Sequence, residues 1–128
     1  MIVKTYESLE GTKSETVLGG GRAVTRRFLL REDGVGFTVS DIRIEAGEGK
    51  QLWYKNHIEA NYVIEGEGIL EELDTGKTHE LRPGVMYCLN DNDRHRIISK
   101  TPMRLICVFN PALVGGEVHD KDGAYPAP

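Results

Sequence analysis

Short segments in which aliphatic, β-branched and aromatic residues alternate with polar ones run along most of the chain, broken every few residues by glycine, proline, asparagine or aspartate. Period-two alternation bounded by turn residues marks half-buried strands. It predicts strands over residues 24–31, 37–46, 51–55, 60–65, 68–73, 78–81, 85–89, 95–99 and 103–109. Turns are expected at Gly34-Val35-Gly36, Gly47-Glu48-Gly49, Glu65-Gly66-Glu67, Asp74-Thr75-Gly76 and residues 90–93. Thr38-Val39-Ser40-Asp41-Ile42-Arg43-Ile44 alternates cleanly, whereas Leu105-Ile106-Cys107-Val108-Phe109 is almost wholly apolar. The latter is expected at the centre of a sheet, buried on both faces. Only residues 6–10 could form a short helix. So many short strands imply an all-β sandwich or small barrel, with the Gly- and Pro-rich stretch after Pro111 running over its surface.

At 128 residues the chain supports one domain with a core of its own. The net charge is −4, and the 16 basic residues are scattered rather than clustered. That excludes a footprint for nucleic acid or anionic lipid and leaves small-molecule chemistry. No apolar run is long enough to span a membrane, and Met1-Ile2-Val3-Lys4 opens no signal-peptide pattern, so a cytoplasmic protein is expected. Cys88 and Cys107 lie within apolar runs and are expected to be buried structural thiols rather than a disulfide or metal pair.

The candidate chemistry lies in two blocks. Residues 53–68 predict two polar-studded strands meeting at a glycine-punctuated turn, and residues 84–95 follow about thirty residues on. Glu59, Tyr87 and His95 could meet there at one metal ion. Tyr87 and His95 share parity across the turn at 90–93, so both can point inward. Carboxylate, phenol and imidazole form an oxygen-rich donor set suited to iron, and three protein ligands leave positions open for substrate.

The spacing Glu59 to Gly66, followed by Gly84, Asn90, Asn92 and His95, resembles the two motifs of cupins, with Trp53 and Lys55 where a His-x-His pair would stand. Longer blocks narrow the resemblance. Tyr54-Lys55-Asn56-His57-Ile58-Glu59-Ala60, Ile64-Glu65-Gly66-Glu67-Gly68, Leu81-Arg82-Pro83-Gly84-Val85-Met86-Tyr87, Asp93-Arg94-His95, Cys107-Val108-Phe109-Asn110-Pro111 and Gly116-Glu117-Val118-His119-Asp120-Lys121-Asp122-Gly123-Ala124-Tyr125-Pro126 are similar to the ectoine synthase family of cupins. The resemblance implies a cupin-type double-stranded β-helix, a jelly-roll-like small barrel over residues 1–110, with residues 111–128 as a tail over its mouth. It also implies that Glu59, Tyr87 and His95 hold an iron ion, Fe2+, with zinc or another divalent metal as the alternative.

The reaction so implied is the cyclisation of N-γ-acetyl-L-2,4-diaminobutyrate to ectoine, a compatible solute, with loss of water. Ring closure needs a base, for which Tyr54, His57, Glu117 and His119 are the candidates, and an acid near the departing oxygen. Arg27 is the candidate for the substrate carboxylate, through the bidentate geometry arginine favours. Ser40, Leu89, Asp93, Phe109, Pro111 and Gly115 match further substrate positions of the family.

The chain departs from the family at Ala23, where a tryptophan is usual, and at Ile42, where a threonine is common. Trp53 and Asn92 replace frequent histidines that are not ligands. The metal set is therefore retained while the substrate pocket is partly rewritten. Two other readings stay open: an iron cupin enzyme acting on a related small polar substrate, and a non-catalytic small-molecule-binding cupin. A homodimer is expected to form through an edge strand at residues 1–4 or 24–31.

Overall fold

A computed structural model describes residues 1–128. Ten strands form: β1 (Glu15–Leu18), β2 (Ala23–Arg27), β3 (Thr38–Ile44), β4 (Gly47–Glu48), β5 (Ile58–Glu65), β6 (Gly68–Glu72), β7 (Thr78–Leu81), β8 (Met86–Cys88), β9 (His95–Ser99) and β10 (Met103–Asn110). They pair antiparallel into a six-stranded sheet, β1-β2-β3-β10-β5-β8, and a four-stranded sheet, β4-β9-β6-β7. The two sheets face each other around one core.

Alternation decides which side chains face inward. Along β10, Met103, Leu105, Cys107 and Phe109 are buried. Their cross-strand neighbours on β3 are Ile44, Ile42, Ser40 and Thr38, and on β5 Leu105, Cys107 and Phe109 face Val63, Asn61 and Glu59. Inward residues thus stand in rows across the sheet. The row from Ile42 to Val63 is apolar, the next from Arg27 through Ser40, Cys107 and Asn61 to Tyr87 is polar, and the last holds Thr38, Phe109 and Glu59. The opposite sheet contributes Leu70, Leu81, His95 and Ile97 to the interior. Fully burying a side chain such as Leu105 or Val63 contributes about 1.5–3 kcal/mol, so the apolar rows, together with Cys107 and Phe109, supply the packing that holds the sheets together.

The hairpin between β5 and β6 brings the sheets into close approach. A Cβ on Gly66 would lie 2.2 Å from the Pro102 carbonyl oxygen, and its φ of 89° is one that only glycine adopts freely. After Asn110 no strand forms. Leu113 anchors the chain through its N–H to Thr38 Oγ1 (2.8 Å) and its carbonyl to the Arg31 N–H (2.7 Å). Residues 117–125 then cross the open end of the barrel. There Gly123 accepts from the Trp53 N–H, and the Tyr125 carbonyl accepts from Asn56 Nδ2.

Several expectations from the pattern need correction. Residues 51–55 form only an isolated bridge, Leu52 to His95, because Trp53 and Tyr54 turn aside to meet the returning tail. The segment predicted as 24–31 ends at Arg27, and the predicted helix at 6–10 is a single 3-10 turn, Glu7–Leu9. Strand β1 was not predicted. It makes β2 an inner strand, and residues 1–4 form no strand, so β1 and β8 are the edges of that sheet. The centre of the sheet is where β10 was expected, yet only one of its faces is covered: Val108 is exposed and Ile106 half-buried. Cys88 is exposed on the outer face of β8, whereas Cys107 is buried as expected.

Candidate active site

The open end of the barrel encloses a cavity of about 670 Å³, including its mouth. Tyr54, Glu59, Asn61, Tyr87 and Cys107 line its polar part, Ala23, Ile42, Ile44, Ile97 and Leu105 its apolar part, and Val118 and His119 its cover. Glu59 is buried on β5, and its carboxyl is raised by burial from 4.5 to about 8. Burial likewise raises the phenols of Tyr54 and Tyr87 well above their usual value.

His95, the first residue of β9, is buried with its ring 6.4 Å from that of Tyr87 and 6.0 Å from that of Tyr54. Its Nδ1 lies 2.9 Å from the Asp93 carbonyl oxygen, which fixes the proton on that nitrogen. Nε2 is left buried without a partner, as are Asn61 Nδ2 and His57 Nδ1. Buried polar atoms are nearly always hydrogen-bonded. His95 Nε2 and Asn61 Nδ2 lie close to Tyr87 and are an acceptor and a donor that a bound group could use, whereas His57 Nδ1 lies away from them.

No cluster of three His, Cys, Asp or Glu side chains with metal-ligand placement occurs. A metal set here requires Tyr87 as the third donor. Glu59, Tyr87 and the orphaned Nε2 of His95 fit a divalent cation, because Glu59 is a buried carboxyl paired with no cationic side chain.

The cover is held by polar contacts to the barrel. Tyr54 Oη and His119 Nε2 lie 2.8 Å apart, and the His119 ring stacks on Tyr125 at 4.7 Å and 4°. Burial, then the nearby Arg27 guanidinium, lowers the His119 imidazole to about 4, so it is neutral at pH 7. Burial also lowers the His57 imidazole. Its ring meets Phe109 and Tyr125 edge-on, outside the group that lines the cavity.

Arg27 is almost fully buried on β2, donating to Thr16 Oγ1 (3.2 Å) and to the Glu117 carbonyl oxygen (2.9 Å). The Glu117 carboxylate lies 3.5 Å from Arg27 and accepts from the Val114 and Gly115 N–H groups. Arg27, Gly115 and Glu117 therefore form a latch at the root of the cover, apart from the group around Glu59. Ser40 and Phe109 are buried beside that group on β3 and β10, while Leu89 is buried with its N–H on the Glu59 carbonyl oxygen. Asp93 is half-buried and meets His95 through its backbone, and Pro111 is exposed. Sequence reasoning gave no role to Tyr125, though it lies in the tail block of the resemblance, or to Asn61. A lone aromatic in a Gly- and Pro-rich tail, and a polar residue in phase with Glu59 on β5, were the available signals.

Two facing antiparallel sheets with a cavity opening at a polar end are the architecture of cupins. An RmlC-like cupin from Shewanella frigidimarina has a similar fold, with a TM-score of 0.68 at 22% identity, covering 85% of this chain and 89% of that one. A family model described as ectoine synthase matches residues 1–128. The chain is 55% identical over 126 residues to an L-ectoine synthase from Oceanobacillus iheyensis, covering 98% of this chain and 97% of the relative. It is also similar to the crystal structure of ectoine synthase from P. lautus, with a TM-score of 0.83 and 43% identity, covering 90% of this chain and 81% of that chain. The chain belongs to the ectoine synthase family. Ala23 and Ile42, the two departures noted in the sequence, both line the cavity wall.

The raised Glu59 carboxyl has a measurable consequence in the metal-free protein. Its proton is retained in the folded chain and lost from the unfolded chain between pH 4.5 and about 8. Its contribution to stability therefore falls as pH rises through that window and levels off above it. Denaturant unfolding at pH 5 and pH 9 should show the wild type losing stability relative to Glu59→Gln as pH rises. Parallel profiles for the two proteins would contradict the buried, protonated carboxyl.

Proposed function

We propose that the chain closes the ring of N-γ-acetyl-L-2,4-diaminobutyrate to give ectoine, as a hydro-lyase. The observation that supports this most is the Tyr54–His119 pair, a protonated phenol 2.8 Å from a neutral imidazole, beside the buried carboxyl of Glu59. In the reaction the α-nitrogen bonds to the amide carbon and the C–O bond breaks. The oxygen leaves as water with two of the three ammonium protons. An iron ion, Fe2+, held by the Glu59 carboxylate, the Tyr87 oxygen and His95 Nε2 would supply polarisation of the amide carbonyl.

The remaining work falls to the chain's own groups. His119 is neutral and able to take a proton from the ammonium, and Tyr54 Oη is protonated and able to deliver one to the departing oxygen. His57, also held neutral by burial, is the alternative base. Arg27 receives the substrate carboxylate by giving up part of its hold on Glu117. Both Glu117 oxygens are committed to backbone N–H groups, which gives that residue the task of holding the cover rather than moving protons. Tyr125 keeps the His119 ring in plane by stacking. With residues 117–125 closed, water is kept from the amide, as ring closure by dehydration requires.

The working unit in this proposal is a homodimer. Its support is an apolar strip on the outer face of the six-stranded sheet, where Tyr62, Met86 and Val108 are 47%, 60% and 38% exposed, with Cys88 beside them. Light scattering should give twice the chain mass for the wild type, and a monomer mass at micromolar concentration would contradict it.

A product assay tests the activity. Iron-loaded wild type should form the cyclic amidine, Glu59→Ala should form none, and Tyr54→Phe should lose about 10²–10⁴-fold in kcat. A folded, iron-loaded wild type that forms no product would overturn the reading. Consumption of oxygen on a related substrate would then point to another cupin chemistry.

A further inference from the structure

The cavity is larger than an acetylated diamino acid needs, and one side of its wall is apolar. A volume of about 670 Å³ falls in the range of pockets that enclose drug-sized ligands. One row of inward residues away from Tyr87, Asn61 and Cys107, the wall becomes Ile42 and Leu105. A row beyond that it becomes Ala23 and Ile44, with Ile97 opposite. Two residues along an antiparallel strand span about 7 Å. The apolar wall therefore begins within the reach of a short alkyl chain that starts at the polar end.

Only one part of the substrate can face that wall. The ammonium and carboxylate of a diamino acid would lose their solvation against Ile42 and Leu105 with nothing to pair with there. The one charged side chain beside Ala23, Arg22, is already engaged, donating to the Gly47 carbonyl oxygen and to Ser99 Oγ. The other charged and polar groups are His119 under the cover, Glu48, Lys50 and Asp120 at the mouth, and Arg27 at the root of the cover. With the amide carbonyl at the Glu59, Tyr87 and His95 end, the uncharged substituent on its carbon is the group left to point along the apolar wall. Ala23 is the smallest side chain on that wall, and Ile42 presents no hydroxyl that would need a polar partner.

We propose that Ala23, Ile42, Ile44, Ile97 and Leu105 form an acyl subsite, and that the chain cyclises N-γ-acyl-2,4-diaminobutyrates whose acyl group has three to five carbons. The inference rests on the ring-closing reading of the same site. The balance is unchanged by the longer chain. The α-nitrogen bonds to the acyl carbon, and the oxygen leaves as water with two ammonium protons. The product is a cyclic amidine carrying an ethyl, propyl or butyl group where ectoine carries methyl.

The test is a series of kcat/KM values for the N-γ-acetyl, propionyl, butyryl and pentanoyl substrates with iron-loaded wild type. The expected result is that propionyl and butyryl fall within about tenfold of acetyl, since a hydrophobic pocket distinguishes one methylene by about 10–200-fold when it has no room for it. Acetyl turnover with a loss of a hundredfold or more at butyryl overturns the subsite and leaves the ring-closing reading standing. Turnover of none overturns both. Ala23→Trp, which fills the far end of the wall, should lower the butyryl-to-acetyl ratio at least tenfold, and an unchanged ratio in the folded variant also counts against the subsite. If that variant does not fold, the wild-type series decides alone.

Discussion

The open end of the barrel depends on the register in which β10 runs between β3 and β5. That register sets Phe109 opposite Glu59 and Cys107 opposite Asn61, and it sets Leu105 opposite Ile42 on the other side. A slip of one residue would turn every one of these side chains to the outer face. The slip is resisted by the apolar rows, in which Leu105, Val63 and Met103 are buried, and by the close approach at Gly66. Polar chemistry at one end of the molecule is thus stabilised by apolar packing at the other.

The polar end is costly in itself. A carboxyl without a cationic partner, an imidazole with an orphaned nitrogen and an orphaned amide, those of Glu59, His95 and Asn61, are buried within a few side chains of one another. Each would cost about 1–3 kcal/mol if left unmet. Burial answers in part by changing protonation, leaving Glu59 and the tyrosines holding their protons and His119 without one. The same shifts create a phenol that can give a proton beside an imidazole that can take one. The cover brings His119 into that pair, and it is secured by the Arg27–Glu117 latch and the Tyr125 stack rather than by strand pairing.

Most of the barrel was legible in the sequence because period-two alternation and turn residues act locally. β7 and β9 were read to the residue, and β10 to within one. Misreadings occurred where tertiary contacts override the local pattern. Residues 51–55 alternate like a strand, but only Leu52 pairs with β9, while the Trp53 N–H and the Tyr54 hydroxyl turn to the tail. β1 is too short and polar to stand out until β2 pairs with it. Val108 and Cys88 look like core residues by composition, yet they fall on the outer parity of their strands. At the site, Glu59, Tyr87 and His95 were legible as chemical types at cupin-like spacing. The commitment of Glu117 to the backbone of its own turn and the stacking of Tyr125 on His119 were not, since both depend on how the tail folds back.

In the proposed function, Glu59, Tyr87 and the orphaned His95 Nε2 together hold one metal ion. Anomalous diffraction at the iron edge from crystals of iron-loaded protein tests it most directly. The expected result is a single peak within bonding distance of a Glu59 carboxylate oxygen, Tyr87 Oη and His95 Nε2. A peak elsewhere, or one that omits any of the three, would contradict it.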